Sequence, residues 1–283
     1  MAPLIPEQRR QEILRRLRQA QVLSYHQLTE LIGVSHMTIR RDIAALEKLG
    51  SVEVTPGGAK IATRLLREPD RAEKTGSDRA AKTAMARAAA AMVTDSMTVY
   101  LDAGTTVQAM RPFLDGARDL TVVSNDLATV ADFCDHPGVD LICLGGRVEV
   151  SNQSTVGRLA TLALRELSLD VAFLSSSSWD VEHGVSTPVE AKVDVKRAAL
   201  AAATTSVLVA GSAKYGRFAR YRALRLDEID TIVTDDELPD EAAARVGATG
   251  VTLVRAGVGA EAGGPTGDAA EAADATEAGG AAG

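Results

Sequence analysis

Apolar positions fall into two rhythms along the chain. Over the first sixty residues they recur at helical spacing. Ile13, Leu14 and Leu17 line one face of the arginine-rich stretch PEQRRQEILRRLRQAQ, which predicts an amphipathic helix laid over a small core. SYHQLTELIG follows, with Ser24 and Gln27 in capping-box spacing and Gly33 as the stop. VSHMTIRRDIAALEKLG then offers Ser35 as N-cap, a stripe of Ile39, Ile43 and Leu46, and Gly50 as stop. The result is helix, short turn, helix. SVEVTPGGAKI adds two short β runs around Pro56, Gly57 and Gly58, the pattern of a wing.

From about residue 79 the rhythm changes. Alanine-rich helical stretches alternate with the β-rich runs TVYLDAG, LTVVSN, VDLICLGG, DVAFLSS, SVLVAGS and DTIVTDD. Runs apolar on both faces and separated by helix-length segments predict a mainly parallel sheet covered by helices, an α/β fold. The expected organisation is a winged helix-turn-helix over 1–62, a charged linker over 63–78 broken by Pro69 and Gly76, and an α/β domain over 79–255. Residues 256–283 form an acidic Ala/Gly tail too poor in large apolar side chains to offset its ordering entropy, and are expected to be disordered.

Composition narrows the function classes. With 283 residues and 46% hydrophobic residues, the chain can bury a good core beside a small second domain. No stretch approaches the roughly 18 uninterrupted apolar residues of a membrane span, and the N-terminus turns charged where a signal peptide turns apolar, so a cytoplasmic location is expected. Cys134 and Cys143 lack C-x-x-C spacing and lie in or beside apolar segments. They are expected as buried reduced thiols, and neither a metal nor a cofactor is expected. The net charge of −7 hides an asymmetry: residues 1–64 hold ten Lys/Arg against six Asp/Glu, which leaves −11 for the remainder. A basic head on an acidic body suggests that the head meets a polyanion.

With the Ile39, Ile43, Leu46 stripe turned inward, Met37, Arg41 and Lys48 point outward and Thr38 and Arg40 flank them. Arginine can fork onto a guanine edge or a phosphate, and Ser35 and Thr38 can donate to phosphate oxygens near the helix start. The wing residues Gly57, Gly58 and Lys60 suit a backbone contact. Such geometry also occurs in ordinary helical domains, and paired arginines are often plain surface.

In the second region, polar or glycine-rich residues follow several strands. YLDAGTT places Asp102, Gly104, Thr105 and Thr106 after one, VVSND gives Ser124 and Asn125, CLGGR gives Gly145 and Gly146, and VAGSAKYGR gives Lys214. Strand ends are where open α/β sheets bind ligands, and this set suits a small, anionic, hydroxylated one. Each residue has a bland alternative: a tight turn, a helix cap, a solvated lysine.

GVSHMTIRRDIAALEKLGSVEVTPGGA resembles the winged helix-turn-helix of the DeoR/GlpR family of bacterial transcriptional regulators. Ser35, Thr38, Ile39, Arg40, Arg41, Asp42, Leu46, Gly50, Gly57, Gly58 and Ala59 stand at the motif positions, with His36 and Met37 in its variable slots. The resemblance extends over about residues 5–240 through LDAGTT, LTVVSNDLA, LGGRV, STVG, DVAFL, the VKR segment, KYG and IDTIVTDD. It implies a homo-oligomeric repressor that binds operator DNA, with a sensor domain similar to ribose-5-phosphate isomerase. That domain is implied to detect a phosphorylated sugar, its phosphate on Gly104, Thr105 and Thr106, with Asp102, Asn125 and Lys214 as further contacts. Two departures bear on the ligand. Gly211 replaces the family's aspartate, and SSSSWDVEHG replaces a glycine-containing turn; its Trp179 either lines the pocket or caps the core. An isomerase would need a placed carboxylate base and gains nothing from a DNA-binding head, so a sensor is expected rather than an enzyme.

Overall fold

The structure, a computed structural model, describes residues 4–48 and 51–258; the helix stop expected at Gly50 and the expected tail from residue 259 onward lie outside them. The head comprises α1 (Pro6–Ala20), β1 (Val22–Ser24), α2 (Tyr25–Ile32), α3 (His36–Lys48), β2 (Val52–Thr55) and β3 (Gly58–Ile61). Ser24 and Gln27 exchange the two hydrogen bonds of a capping box, and the Gly33 N–H closes α2 on the Thr29 carbonyl. Ile13, Leu17, Leu28, Ile39 and Ile43 are at most 1% exposed, and each such burial is worth about 1.5–3 kcal/mol against exposure. Arg9 of α1 and Asp42 of α3 add a buried two-pronged ion pair at 2.5 and 3.1 Å, so Asp42 is a clamp between helices. The wing strands pair as β1-β3-β2. Gly58 lies so close to β1 that a Cβ there would meet the Leu23 carbonyl oxygen at 2.3 Å.

Residues 63–78, expected as a linker, are folded onto the body. They contain β4 (Arg64–Leu65) and α4 (Arg71–Thr75). Arg71 is buried against Asp126 at 2.8 Å, and Glu68 bonds Lys74 at 2.6 Å and Lys192 at 2.7 Å. Arg71–Asp126 and Glu68–Lys192 join residues 55 and 124 positions apart, which local composition does not register.

The body continues with α5 (Arg79–Ala90), β5 (Thr98–Leu101), α6 (Thr105–Gln108), β6 (Leu120–Ser124), α7 (Leu127–Phe133), β7 (Val139–Cys143), β8 (Arg147–Glu149), β9 (Ser154–Val156), α8 (Arg158–Arg165) and β10 (Leu169–Leu174). Then come β11 (Ser178–Asp180), β12 (Gly184–Thr187), α9 (Ala191–Ala202), β13 (Ala203–Val209), β14 (Phe218–Ala219), β15 (Tyr221–Leu224), β16 (Thr231–Asp235), α10 (Asp240–Gly247) and β17 (Thr252–Ala256). Seven strands form one parallel sheet in the order β17-β16-β13-β10-β5-β6-β7. Alternate residues pack on opposite faces: Tyr100, Ala172, Leu174 and Leu208 on one, Val99, Leu101, Phe173 and Val209 on the other. The chain winds outward from β5 to β7, then returns to place β10 on the other side of β5. That reversal creates a switch point, where neighbouring strand ends diverge and a crevice opens.

Cys134 and Cys143 are exposed, contrary to expectation. β7 is the outer strand of the sheet, so its apolar sequence is covered on fewer sides than that of a central strand.

Candidate functional site

The DNA-facing candidates gather on α3, at its N-cap and in the wing. Ser35 Oγ accepts from the Thr38 N–H and lies 2.9 Å from the Thr38 hydroxyl, fixing the helix start. His36, Met37, Arg40 and Arg41 are exposed on the first two turns. Met37 is 72% exposed, which for a large apolar side chain suits contact with a partner. The Arg40 guanidinium stands 5.2 Å from the Tyr25 ring centroid, and His36 meets the same ring edge-on. Tyr25 thereby braces both side chains from α2. Lys48, at the far end of α3, lines the cleft between head and body. In the wing Gly57 is exposed and Lys60 pairs with Glu53 at 2.8 Å, whereas Gly58 is buried and serves packing.

In the body, the loops after β5 and β10 face each other across the switch point. Gly104 fits between them because a Cβ would meet the Ser175 Cβ at 3.0 Å. Beneath the loops lies a polar core. Lys196 donates to the Asp102 carboxylate and, at 2.7 Å, to the Ser175 carbonyl. The Ser175 N–H donates to Asp102 at 2.9 Å. Asn125 Oδ1 accepts from the Ala103 N–H and the Tyr100 hydroxyl, and its Nδ2 donates to the Thr155 carbonyl. Asp126 takes the Gly104 N–H at 3.3 Å and is neutralised by Arg71, which also reaches Gln108 at 2.6 Å. Burial, then the charge and hydrogen bond of Asp102, push the Tyr100 hydroxyl well above its ordinary pKa, so it remains a neutral donor. The crevice lined by Asp102, Asn125, Ser175, Lys192 and Lys196 has a volume of only about 10 Å³, room for one water molecule at most.

Above this core the space widens to a cleft of about 830 Å³, walled by the body on one side and by α1 and the end of α3 on the other. Gly104, Thr105, Thr106, Ser175, Ser176, Ser177 and Lys214 share its body wall. Among the described residues nothing accepts from the N–H groups of Thr105 and Thr106. α6 itself is four residues long, so little macrodipole stands behind those groups. Lys214 Nζ donates only to the Ser176 carbonyl among the described residues, at 2.7 Å. Burial, followed by the charges of Lys74 and Lys82, lowers its pKa to about 7.

The structure thus brings Gly104, Thr105, Thr106 and Lys214 together and places Asp102 and Asn125 beneath them as supports. Asp102, expected as a further ligand contact, is committed to Lys196 and Ser175. Ser124 is fully buried, donating to the Leu101 carbonyl and accepting from the Asp126 N–H. Gly145 and Gly146 form the turn from β7 into β8 and line neither cavity, because β7 lies two strands from the switch point. Trp179 caps the core: it is 0% exposed, donates to the Gly211 carbonyl at 3.2 Å and meets the Tyr215 ring edge-on. At Gly211 a Cβ would stand 3.0 Å from Asp235 Oδ2, which accepts from the Ser212 N–H. Sequence reasoning missed Lys196, Arg71, Asp126, Lys74, Lys82 and Arg18. The visible signals were the VKR segment and the charge of the stretch read as a linker. Among the described residues no cluster suits a metal ion, and no helix is long and apolar enough to cross a membrane.

A winged helix with an exposed recognition face, carried on a parallel α/β body, defines a two-domain DNA-binding transcriptional regulator. Residues 9–64 match the DeoR-like helix-turn-helix domain and residues 77–236 the DeoR C terminal sensor domain. The chain belongs to the DeoR family of transcriptional regulators, not to a family of enzymes. It is 43% identical to the uncharacterized HTH-type transcriptional regulator YgbI of Escherichia coli (strain K12), over 84% of this chain and 93% of that one. It is 32% identical to the transcriptional repressor AccR of Agrobacterium fabrum, over 81% and 89% of the two chains. Among solved structures it is similar to ribose 5-phosphate isomerase A of Methanocaldococcus jannaschii. That similarity is 14% identity with a TM-score of 0.36, over 49% of this chain and 55% of that chain, too distant to carry function.

Proposed function

We propose that this regulator is a cytoplasmic repressor of carbohydrate-metabolism genes whose operator affinity is set by a phosphorylated sugar bound in the cleft. One observation carries the reading: the hydroxyls and free N–H groups of Thr105 and Thr106 share a wall with Gly104, Ser175, Ser176, Ser177 and the ammonium of Lys214. Donors grouped on that wall suit a phosphate and its attached hydroxyls. A ligand that favours one arrangement of head and body shifts the population toward it, by no more than its differential affinity.

A homo-oligomer would present two or more heads to an operator. Supporting this, β7 leaves one edge of the sheet unpaired among the described strands, and Val148, Val150, Leu159 and Leu162 are exposed on the β8–β9 hairpin and α8.

The test is fluorescence anisotropy of labelled DNA from the gene's own upstream region, at fixed salt, with and without a panel of sugar phosphates. Specific binding shifted by one member of the panel is the expected result. Arg41→Ala should lose about 1–3 kcal/mol of operator discrimination, and Thr105→Ala should weaken the ligand response while free DNA affinity is retained. A wild-type protein that does not discriminate its upstream DNA from random sequence refutes the reading.

A further inference from the structure

The cleft carries far more positive charge than one phosphate needs. Eight cationic side chains line it against the carboxylates of Glu7, Glu73 and Asp78, on a chain whose net charge is −7. Lys74 is answered by Glu68. Lys82 and Lys214, by contrast, donate only to backbone carbonyls among the described residues. Across the cleft, Arg18 projects from α1 of the head, within reach of the charges of Asp78, Glu237 and Asp235. Its Nε is buried and finds no acceptor among the described residues, and neither does the buried Ser176 hydroxyl on the body wall. Arg217, from the turn before β14, stands close enough to Arg18 for the two charges to interact. Buried donors left unmet are costly, so two of them on opposite walls of one cleft point to something that spans it.

Building on the sugar-phosphate reading, we propose that the cleft takes a phosphorylated sugar with a second anionic group, a carboxylate or a second phosphate, and that Arg18 of the head holds that group. The first phosphate would sit on the Gly104–Thr106 loop and Lys214. A volume of about 830 Å³ accommodates such a ligand. The arrangement also gives the ligand a route to DNA. Arg18 lies on α1, and α1 is joined to α3 by the buried Arg9–Asp42 pair and the shared contacts of Ile13, Leu17, Ile39 and Ile43. One molecule gripping both walls therefore sets the angle at which α3 is offered to a groove.

The experiment is calorimetric titration of the full chain with two matched pairs: glucose 6-phosphate against 6-phosphogluconate, and fructose 6-phosphate against fructose 1,6-bisphosphate. The doubly anionic member of at least one pair should bind about tenfold tighter or more, since a close charge pair at a desolvated site is worth at least that. Whichever pair shows the preference separates a carboxylate from a phosphate. Arg18→Gln should reduce the preference to less than about threefold, while Arg18→Lys, which keeps the charge, retains most of it. Equal affinities within both pairs, alongside a response of DNA binding to a monophosphate, overturn the bridge and leave the sensor reading intact. A preference that survives Arg18→Gln in a protein that still binds its DNA also overturns it. No binding by any of the four overturns both readings.

Discussion

On the proposed reading, the Lys214 ammonium makes ligand binding a proton-linked event. In the empty cleft burial, then Lys74 and Lys82, lower its pKa to about 7; Glu68 opposes this and Lys196 adds to it. An anion seated against Nζ should return the group toward its ordinary value of about 10.5. With a pKa of about 7, roughly nine-tenths of the empty protein carries the charge at pH 6, and about one-hundredth at pH 9. Affinity should therefore change little between about pH 6 and pH 7 and fall by up to about tenfold per pH unit above that, an upper limit because part of the side chain meets solvent. Sugar phosphates lose their second proton near pH 6, so the ligand's own charge is nearly constant over that range. Titrations at pH 8 in Tris and in Hepes should reveal an uptake of about 0.9 proton per ligand, and Lys214→Met should abolish it. The sign for stability is opposite. Between about 7 and 10.5 the unfolded chain holds the Lys214 proton and the empty folded chain does not. Folding stability thus rises with pH across that window, and the cost of the buried charge is fully present below pH 7. Melting temperatures at pH 6 and pH 9 should differ less in Lys214→Met than in the parent. Ligand affinity unchanged from pH 7 to pH 9, with no proton uptake, refutes the reasoning.

Two further outcomes follow from buried contacts. Arg71→Ala leaves Asp126 without its cation beneath the Gly104 loop, and should cost about 3–5 kcal/mol in urea unfolding along with much of the ligand response; an unchanged midpoint would mean that residues 63–78 do not pin the loop. Gly58→Ala drives a methyl group to 2.3 Å from the Leu23 carbonyl and should destabilise the head by about 1–3 kcal/mol, read as weaker operator binding at raised temperature. Full operator affinity in that variant would remove the β1–β3 approach as a determinant of wing position.

The fold was legible wherever burial follows a period. Six of the seven parallel strands stand out as apolar runs: β5, β6, β10, β13 and β16 because both faces are covered, and β7 by its sequence alone, since as an edge strand it has no buried position. β17 does not, since in this edge strand, TLVRA, only Ala256 is buried. Cys143 misleads in the same way, sitting in the strand at the opposite edge, and Cys134 is the exposed residue that ends α7. In the head, Ser24, Gln27, Ile39, Ile43 and Leu46 could be placed because a cap and a helical stripe are local patterns. Asp42 could not be distinguished from a surface carboxylate, since its partner Arg9 lies 33 residues earlier.

The same limit explains the site. Gly104, Thr105, Thr106 and Lys214 are readable because a strand end is marked in its own few residues. The supports beneath them are made by pairs separated by 94 residues for Asp102 and Lys196, 55 for Arg71 and Asp126, and 124 for Glu68 and Lys192, distances no local pattern spans. Charge was misassigned more subtly. The excess of arginine and lysine in residues 1–64 reads as a single basic face for DNA, yet Arg10, Arg18 and Lys48 line the cleft toward the body while Arg40 and Arg41 remain exposed on α3. On the proposed reading, cations that attract DNA on one face and a small anion on the other place both ligands on one head. A ligand held at Arg18 then acts on α3 through the geometry of the head, without any change in the residues that read bases.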